Sequence, residues 1–154
     1  VGHPNCLQPG KRPRITLTPT ILTKDGKPVA AISVAGGDLQ DQTTLNVLLG
    51  YIEFGMSPAE AVTAPRFSTD HMENSFDSNP DRSRAFMHPL RLHVSSGIAR
   101  EVQDELKRRG HELEITAGPI ADPVMIALDP GTGEAHVAGD PQAGRHAAAV
   151  ESAG

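Results

Sequence analysis

Apolar and polar positions along this chain follow two different periods. β-branched residues dominate from Leu17 to Thr23, and from Pro28 to Ala35 the run is small and apolar almost throughout, with Val29, Ile32 and Val34. Lys24-Asp25-Gly26-Lys27 separates the two runs, and an Asp-Gly pair in that position predicts a β-hairpin. The second run shows little polar alternation, which predicts a strand buried on both faces in a layered fold with helices on each side. Beyond Ala35-Gly36-Gly37-Asp38 the period changes. Leu45, Leu48, Leu49 and Ile52 recur at i, i+3, i+4 and i+7, the apolar stripe of a helix that stops at Phe54-Gly55.

A second, short helix is predicted at Ser57-Pro58-Ala59-Glu60. There Ser57 can cap, Pro58 suits the first helical position and Glu60 can complete a capping box. Ala64-Pro65 ends it, because a residue before proline disfavours α geometry. Residues 68–89 are polar and read as a long surface loop. Leu90, Leu92 and Val94 alternate as a strand. A third helix from about Ile98 to Arg109 uses Ile98, Val102 and Leu106, with Gly110 as its stop. Glu112 to Thr116 alternates again, and Pro123–Leu128 with Ala135–Ala138 flank a turn at residues 129–133 as a second hairpin. Residues 1–16, rich in proline, glycine and basic side chains, read as an irregular opening segment.

Composition narrows the class. The 154 residues are 38% hydrophobic and 21% charged, as in an ordinary globular domain, with 15 Gly and 13 Pro to supply many turns. A net charge of −5 gives no general attraction to phosphate backbones or anionic membranes, and the basic cluster Lys11-Arg12-Pro13-Arg14 is short and broken by proline. Neither nucleic acid nor a membrane is therefore expected as a partner. Cys6 is the sole cysteine, and one thiol allows no intrachain disulfide. The compartment stays open.

Among chemistry-bearing residues, Gly36-Gly37 stands out. Two residues without Cβ between a strand and a helix can expose consecutive backbone N–H groups to a ligand, and a helix N-terminus adds partial positive charge there. Such donors suit an oxyanion hole. From spacing alone, a tight strand-to-helix turn is the simpler account. The other candidates are weaker. The histidines lack His-x-x-x-His spacing, and His3, His71, His88 and His136 read as surface or loop residues. Asp38 and Asp41 near a helix start favour the dipole without a catalytic role. Asp129 with Gly131 and Gly133 lacks the ligand pattern of a calcium loop. Gly-x-Ser-x-Gly is absent, and Cys6 has no activating partner beyond His3. No metal and no cofactor is expected.

Taken in order, the motifs resemble one family. Pro9-Gly10-Lys11-Arg12-Pro13, Thr18-Pro19-Thr20-Ile21 and Lys24-Asp25-Gly26-Lys27-Pro28 look like the central small-subunit segment of γ-glutamyltranspeptidases. Ala35-Gly36-Gly37, Phe54-Gly55-Met56, Glu60-Ala61-Val62, Ala64-Pro65-Arg66-Phe67, the Arg-Arg-Gly-His before Glu112, and Ala138-Gly139-Asp140-Pro141 continue it. The resemblance implies an α+β fold, part of the four-layer αββα sandwich of N-terminal nucleophile hydrolases. It implies attack of a processed N-terminal threonine on a γ-glutamyl amide, its own α-amine acting as base, with water or an amine resolving the acyl-enzyme. The family's oxyanion glycines fall on Gly36 and Gly37. A small γ-glutamyl or acyl-amide substrate and the large-subunit portion of the same precursor are the implied partners, and a homo-oligomer is compatible with the reading.

Two departures shape the expectation. The family's nucleophilic threonine lies several tens of residues upstream of Pro-Gly-Lys-Arg-Pro, whereas Thr16, Thr18 and Thr20 are internal and offer no free α-amine. All 154 residues are therefore expected to be the C-terminal portion of a small subunit, lacking the first strands of the sandwich and inactive alone. Typical transpeptidases also carry two serines after Arg-Pro that bind the substrate's α-carboxylate; here Ile15 and Thr16 stand there, beside Arg14. One hydroxyl is kept and one is replaced by an apolar side chain, which widens the expected substrates to other acyl amides. A non-catalytic binding or assembly domain that retains the fold is the alternative reading.

Overall fold

The hairpin around Asp25-Gly26 forms, although its first strand begins later than the β-branched run suggests. In the computed structural model, which describes residues 6–13, 15–86 and 88–148, β1 (Thr20–Lys24) pairs antiparallel with β2 (Lys27–Ala35). Asp25 and Gly26 both have positive φ, 52° and 75°, as a two-residue type I′ turn requires. Leu17 and Thr18 stay outside the strand ahead of Pro19, which has no N–H for a ladder.

Two sheets follow. The first has the order β1-β2-β6-β7, where β6 (Asp122–Leu128) and β7 (Ala135–Gly139) form the second predicted hairpin. β2 and β6 lie antiparallel at its centre, with Ile32 opposite Met125. The second sheet has the order β3-β4-β5, from β3 (Phe67–Thr69), β4 (Arg91–Ser95) and β5 (Glu112–Thr116). β4 and β5 run parallel, so the chain must cross over between them, and helix α3 (Arg100–Arg108) is that crossover.

The core sits between one face of the first sheet and two helices, α1 (Gln40–Ile52) and α2 (Pro58–Thr63). Ala30, Ile32 and Val34 of β2 with Met125 and Ala127 of β6 pack against Val47, Ala61 and Val62. This corrects the expectation for β2. Its residues alternate in burial, and Ser33 on the other face is exposed, as is Ile126 beside it. An all-apolar run permits burial on both faces, yet helices cover only one of them among the described residues.

The helical stripes are corrected too. Of the α1 stripe only Leu48 packs against the core; Leu45, Leu49 and Ile52 are exposed, and the buried side of α1 carries Thr43, Thr44, Val47 and Gly50. Small residues win that face because α2 comes close. A Cβ on Gly50 would already lie 3.1 Å from the Met56 sulfur and 3.6 Å from the Ala61 Cβ. α3 begins at Arg100 rather than Ile98, and its buried side chain is Gln103, whose Nε2 donates to the Ile98 carbonyl at 2.7 Å, while Val102 is exposed. α2 forms as expected. Ser57 Oγ accepts from the Glu60 N–H, Glu60 accepts from the Ser57 N–H at 2.8 Å, Pro58 starts the helix and Ala64 closes it.

A buried ion pair ties the two sheets together. The Arg66 guanidinium lies just before β3 and bonds the carboxylate of Asp140, just after β7; both side chains are 6% exposed. It also donates to the carbonyls of Ile120 (2.8 Å) and Val62 (2.7 Å).

Candidate functional site

The strand-to-helix turn is built by two glycines for two different reasons. At Gly36 the chain passes so near β6 that a Cβ would stand 2.6 Å from the Ala121 Cβ. Gly37 has φ of 57°, a left-handed conformation that costs an L-residue with a side chain roughly 1–2 kcal/mol. A short 3₁₀ turn (Gly37–Leu39) then leads into α1. The N–H groups of Gly36 and Gly37 enter no turn or loop hydrogen bond among the described residues.

One cavity of about 500 Å³ joins this turn to the segment before β1. Its lining includes Gly37, Asp38 and Asp41 from one side and Ile15, Thr16, Leu17 and Thr18 from another. The first turn of α1 sets this meeting. The Gln40 side-chain amide is buried, and with its nitrogen turned toward them it donates to the carbonyls of Val34 (3.2 Å) and Thr16 (2.7 Å). Thr16 is thereby held against the end of β2. Ile15 is 67% exposed and reaches both this cavity and a larger neighbour of about 1030 Å³. Arg14 lies outside the described residues. The structure thus brings Ile15, Thr16 and Gly37 around one space, with Gly36 next to it.

The remaining wall comes from residues whose role the sequence pattern did not reveal. His71, Met72, Glu73, Ser75 and Phe86 of the polar loop line the same cavity. Asp38, in the first turn as the sequence suggests, also accepts from the Ser75 N–H at 2.8 Å and from the Ser75 hydroxyl. Arg82 braces the loop by a two-pronged bond to Glu73, and that carboxylate, through hydrogen bonding first and charge second, raises the arginine's pKa further. A loop of mixed polar residues carries no period, so only its length hinted at a role.

The other candidates stay apart from this space. Among the described residues no group of three or more His, Cys, Asp or Glu side chains could hold a metal ion, and no helix is long and apolar enough to cross a membrane. Asp129 accepts from the N–H groups of Thr132 (2.7 Å) and Gly131 (2.8 Å), which lowers its pKa and satisfies its own turn. Cys6 lines the larger cavity, where its carbonyl accepts from Lys11. His93, unremarked in the sequence, bonds Asp70 at 2.9 Å and sits 3.7 Å from Glu114 on the second sheet.

Comparison with known proteins bears on this arrangement. A family model described as gamma-glutamyltranspeptidase matches residues 1–150. The chain is 30% identical over 128 residues to the glutathione hydrolase proenzyme of Bacillus subtilis (strain 168), a match covering 83% of this chain and 19% of that protein. It spans only 13% to 21% of the length of five bacterial proenzymes that it matches. In fold, it superposes on gamma-glutamyltranspeptidase from Pseudomonas nitroreducens complexed with L-DON, with a TM-score of 0.74 at 23% identity over 98% of this chain and 70% of that one. It also superposes on cephalosporin acylase from Bacillus halodurans, with a TM-score of 0.72 at 29% identity over 92% of this chain and 24% of the acylase. The two sheets and their helices are accordingly those of a γ-glutamyltranspeptidase-type N-terminal nucleophile hydrolase, and the chain belongs to the gamma-glutamyltranspeptidase family.

Proposed function

We propose that the parent protein cleaves γ-glutamyl or related acyl amides through an acyl-enzyme and passes the acyl group to water or an amine. The observation that carries this reading is the single cavity in which the Gly37 turn meets Ile15 and Thr16. In the proposed reaction a nucleophilic hydroxyl oxygen attacks the amide carbonyl, whose oxygen becomes an oxyanion facing the N–H groups of Gly36 and Gly37. The carbon–nitrogen bond breaks and the amine leaves with the hydroxyl's proton. Water or a second amine then attacks the ester, releasing acid or a new amide and restoring the hydroxyl.

Thr16 and Thr18 line the cavity but are internal residues without an α-amine to serve as base. The nucleophile therefore comes from another part of the parent protein, and these 154 residues alone turn nothing over. Thr16 with Ile15 and Arg14 is proposed to meet the substrate's acyl side. The test is release of p-nitroaniline by the full-length protein from γ-glutamyl and simple acyl p-nitroanilides. Gly37→Val should lower turnover by at least tenfold, on the scale of losing one oxyanion donor. No cleavage by a folded full-length protein, or an undisturbed Gly37→Val, would overturn the reading, and cleavage by this chain alone would overturn the external nucleophile.

A further inference from the structure

We infer that the segment from Asp70 to Phe86 is the specificity wall of this site, pinned by Asp38, and that the acyl group it selects carries an aliphatic or aromatic chain. This rests on the function proposed above. The pin is the first observation. Both oxygens of the Asp38 carboxylate are spent on Ser75, 37 positions away, one taking its N–H and the other its hydroxyl. Ser75 is itself buried. Asp38 directly follows Gly37, so the position of the loop and that of the proposed oxyanion donors are set by adjacent residues.

The second observation is what the pin holds in place. Phe76 follows Ser75, and its ring lies so close to Gly37 that a Cβ there would stand 2.8 Å from the ring carbon Cε2. The ring is nevertheless 68% exposed. It is held beside the turn without serving the core. The loop is braced on itself as well. Asn74 Oδ1 accepts from the N–H groups of Phe76 (2.9 Å) and Asp77 (3.0 Å), residue Glu73 forms a β-bridge with Phe86, and the rings of His71 and Phe86 meet edge to face at 5.6 Å. A braced wall keeps a pocket's shape without an entropic cost at each binding event.

The third observation is the chemistry of the lining. Ile15, Leu17 and Phe86 are exposed apolar side chains that converge on the smaller cavity together with Met72. Exposed apolar side chains gathered at one concave site mark ligand contact. The same lining carries the carboxylates of Asp38 and Asp41, while that of Glu73 is paired with Arg82. An acyl chain gains by burial against such a lining, whereas a free α-carboxylate meets carboxylates and the apolar Ile15. Asp38 is a positioning residue in this scheme, acting through Ser75 and Phe76.

The experiment compares hexanoyl-, phenylacetyl- and γ-glutamyl-p-nitroanilide as substrates of the full-length protein. Wild type should favour an apolar acyl group in kcat/KM. Phe76→Ala and Phe86→Ala should each cut that preference by about tenfold, the order that removing apolar contacts in a pocket gives, chiefly through KM and with Tm unmoved. Asp38→Ala and Ser75→Ala should raise KM alike and, when combined, no further than the larger single effect. Asp38→Asn, which keeps a carbonyl acceptor for the Ser75 N–H, should recover part of the loss. If wild type favours the γ-glutamyl substrate, or if the preference ignores Phe76→Ala and Phe86→Ala, the wall is overturned and the amidohydrolase reading stands. If folded wild type cleaves none of the three, both fall.

Discussion

At the scale of single residues, this site depends on close approach. Gly36 leaves no room for a methyl group, because the Ala121 Cβ would be 2.6 Å away and both atoms belong to short, unyielding side chains. Gly36→Ala must therefore push β2 and β6 apart at the turn. We expect it to destabilise the fold by about 1–3 kcal/mol, the usual cost of overpacking; denaturant midpoints within error of wild type would show that the turn yields freely. Arg66 is the second such residue. Replacing it by Met leaves the buried Asp140 carboxylate without its partner and frees the carbonyls of Ile120 and Val62. Removing one member of a buried pair costs about 3–5 kcal/mol. A urea titration of Arg66→Met that shows less than ~1 kcal/mol lost would mean that water reaches the pair. Neither residue's environment is visible in sequence, since their partners are 85 and 74 positions away.

At the scale of elements, local rules predicted best where the partners are local. The capping box of α2 closes within four residues, and both hairpins close around short turns, so each was legible from the chain. The same box makes a pH prediction. Hydrogen bonds from the Ser57 N–H and hydroxyl hold the Glu60 pKa below its ordinary value. A depressed folded pKa stabilises fully above the unfolded pKa, and that stability fades as pH falls through the folded value. Ser57→Ala should lower Tm by a few degrees near neutral pH, and the deficit should shrink in acid below the Glu60 folded pKa. A deficit independent of pH would assign the whole effect to the helix backbone and none to the carboxylate. The stripes of α1 and α3 misled because period alone marks an apolar face and leaves open what covers it. α1 instead turns Thr43, Val47 and Gly50 inward, where closeness to α2 favours small side chains over leucine.

At the scale of the whole molecule, two apolar surfaces lie open among the described residues. One is the stripe of Leu45, Leu49 and Ile52 on α1, and the other is the face of the first sheet around Ile21 and Ile126. Stretches of this kind mark interaction surfaces or promote association. Leu45→Lys with Leu49→Lys should therefore raise the monomer fraction of this chain in sedimentation while moving stability by no more than about 0.5 kcal/mol per site, as at other exposed positions. A Tm loss of core size would show that these leucines are buried in solution.

By itself the sequence determined the elements that close locally, two hairpins and the capped helix, and through its ordered motifs the family. Neighbouring residues carry those choices, so a reader of the chain alone can find them. Only the tertiary structure decided which face of each apolar run is covered, that Arg66 reaches Asp140, and that Asp38 at the helix start also holds a distant loop. These outcomes depend on groups brought together from distant positions, and the energy of such contacts follows from closeness in space, which no spacing along the chain encodes.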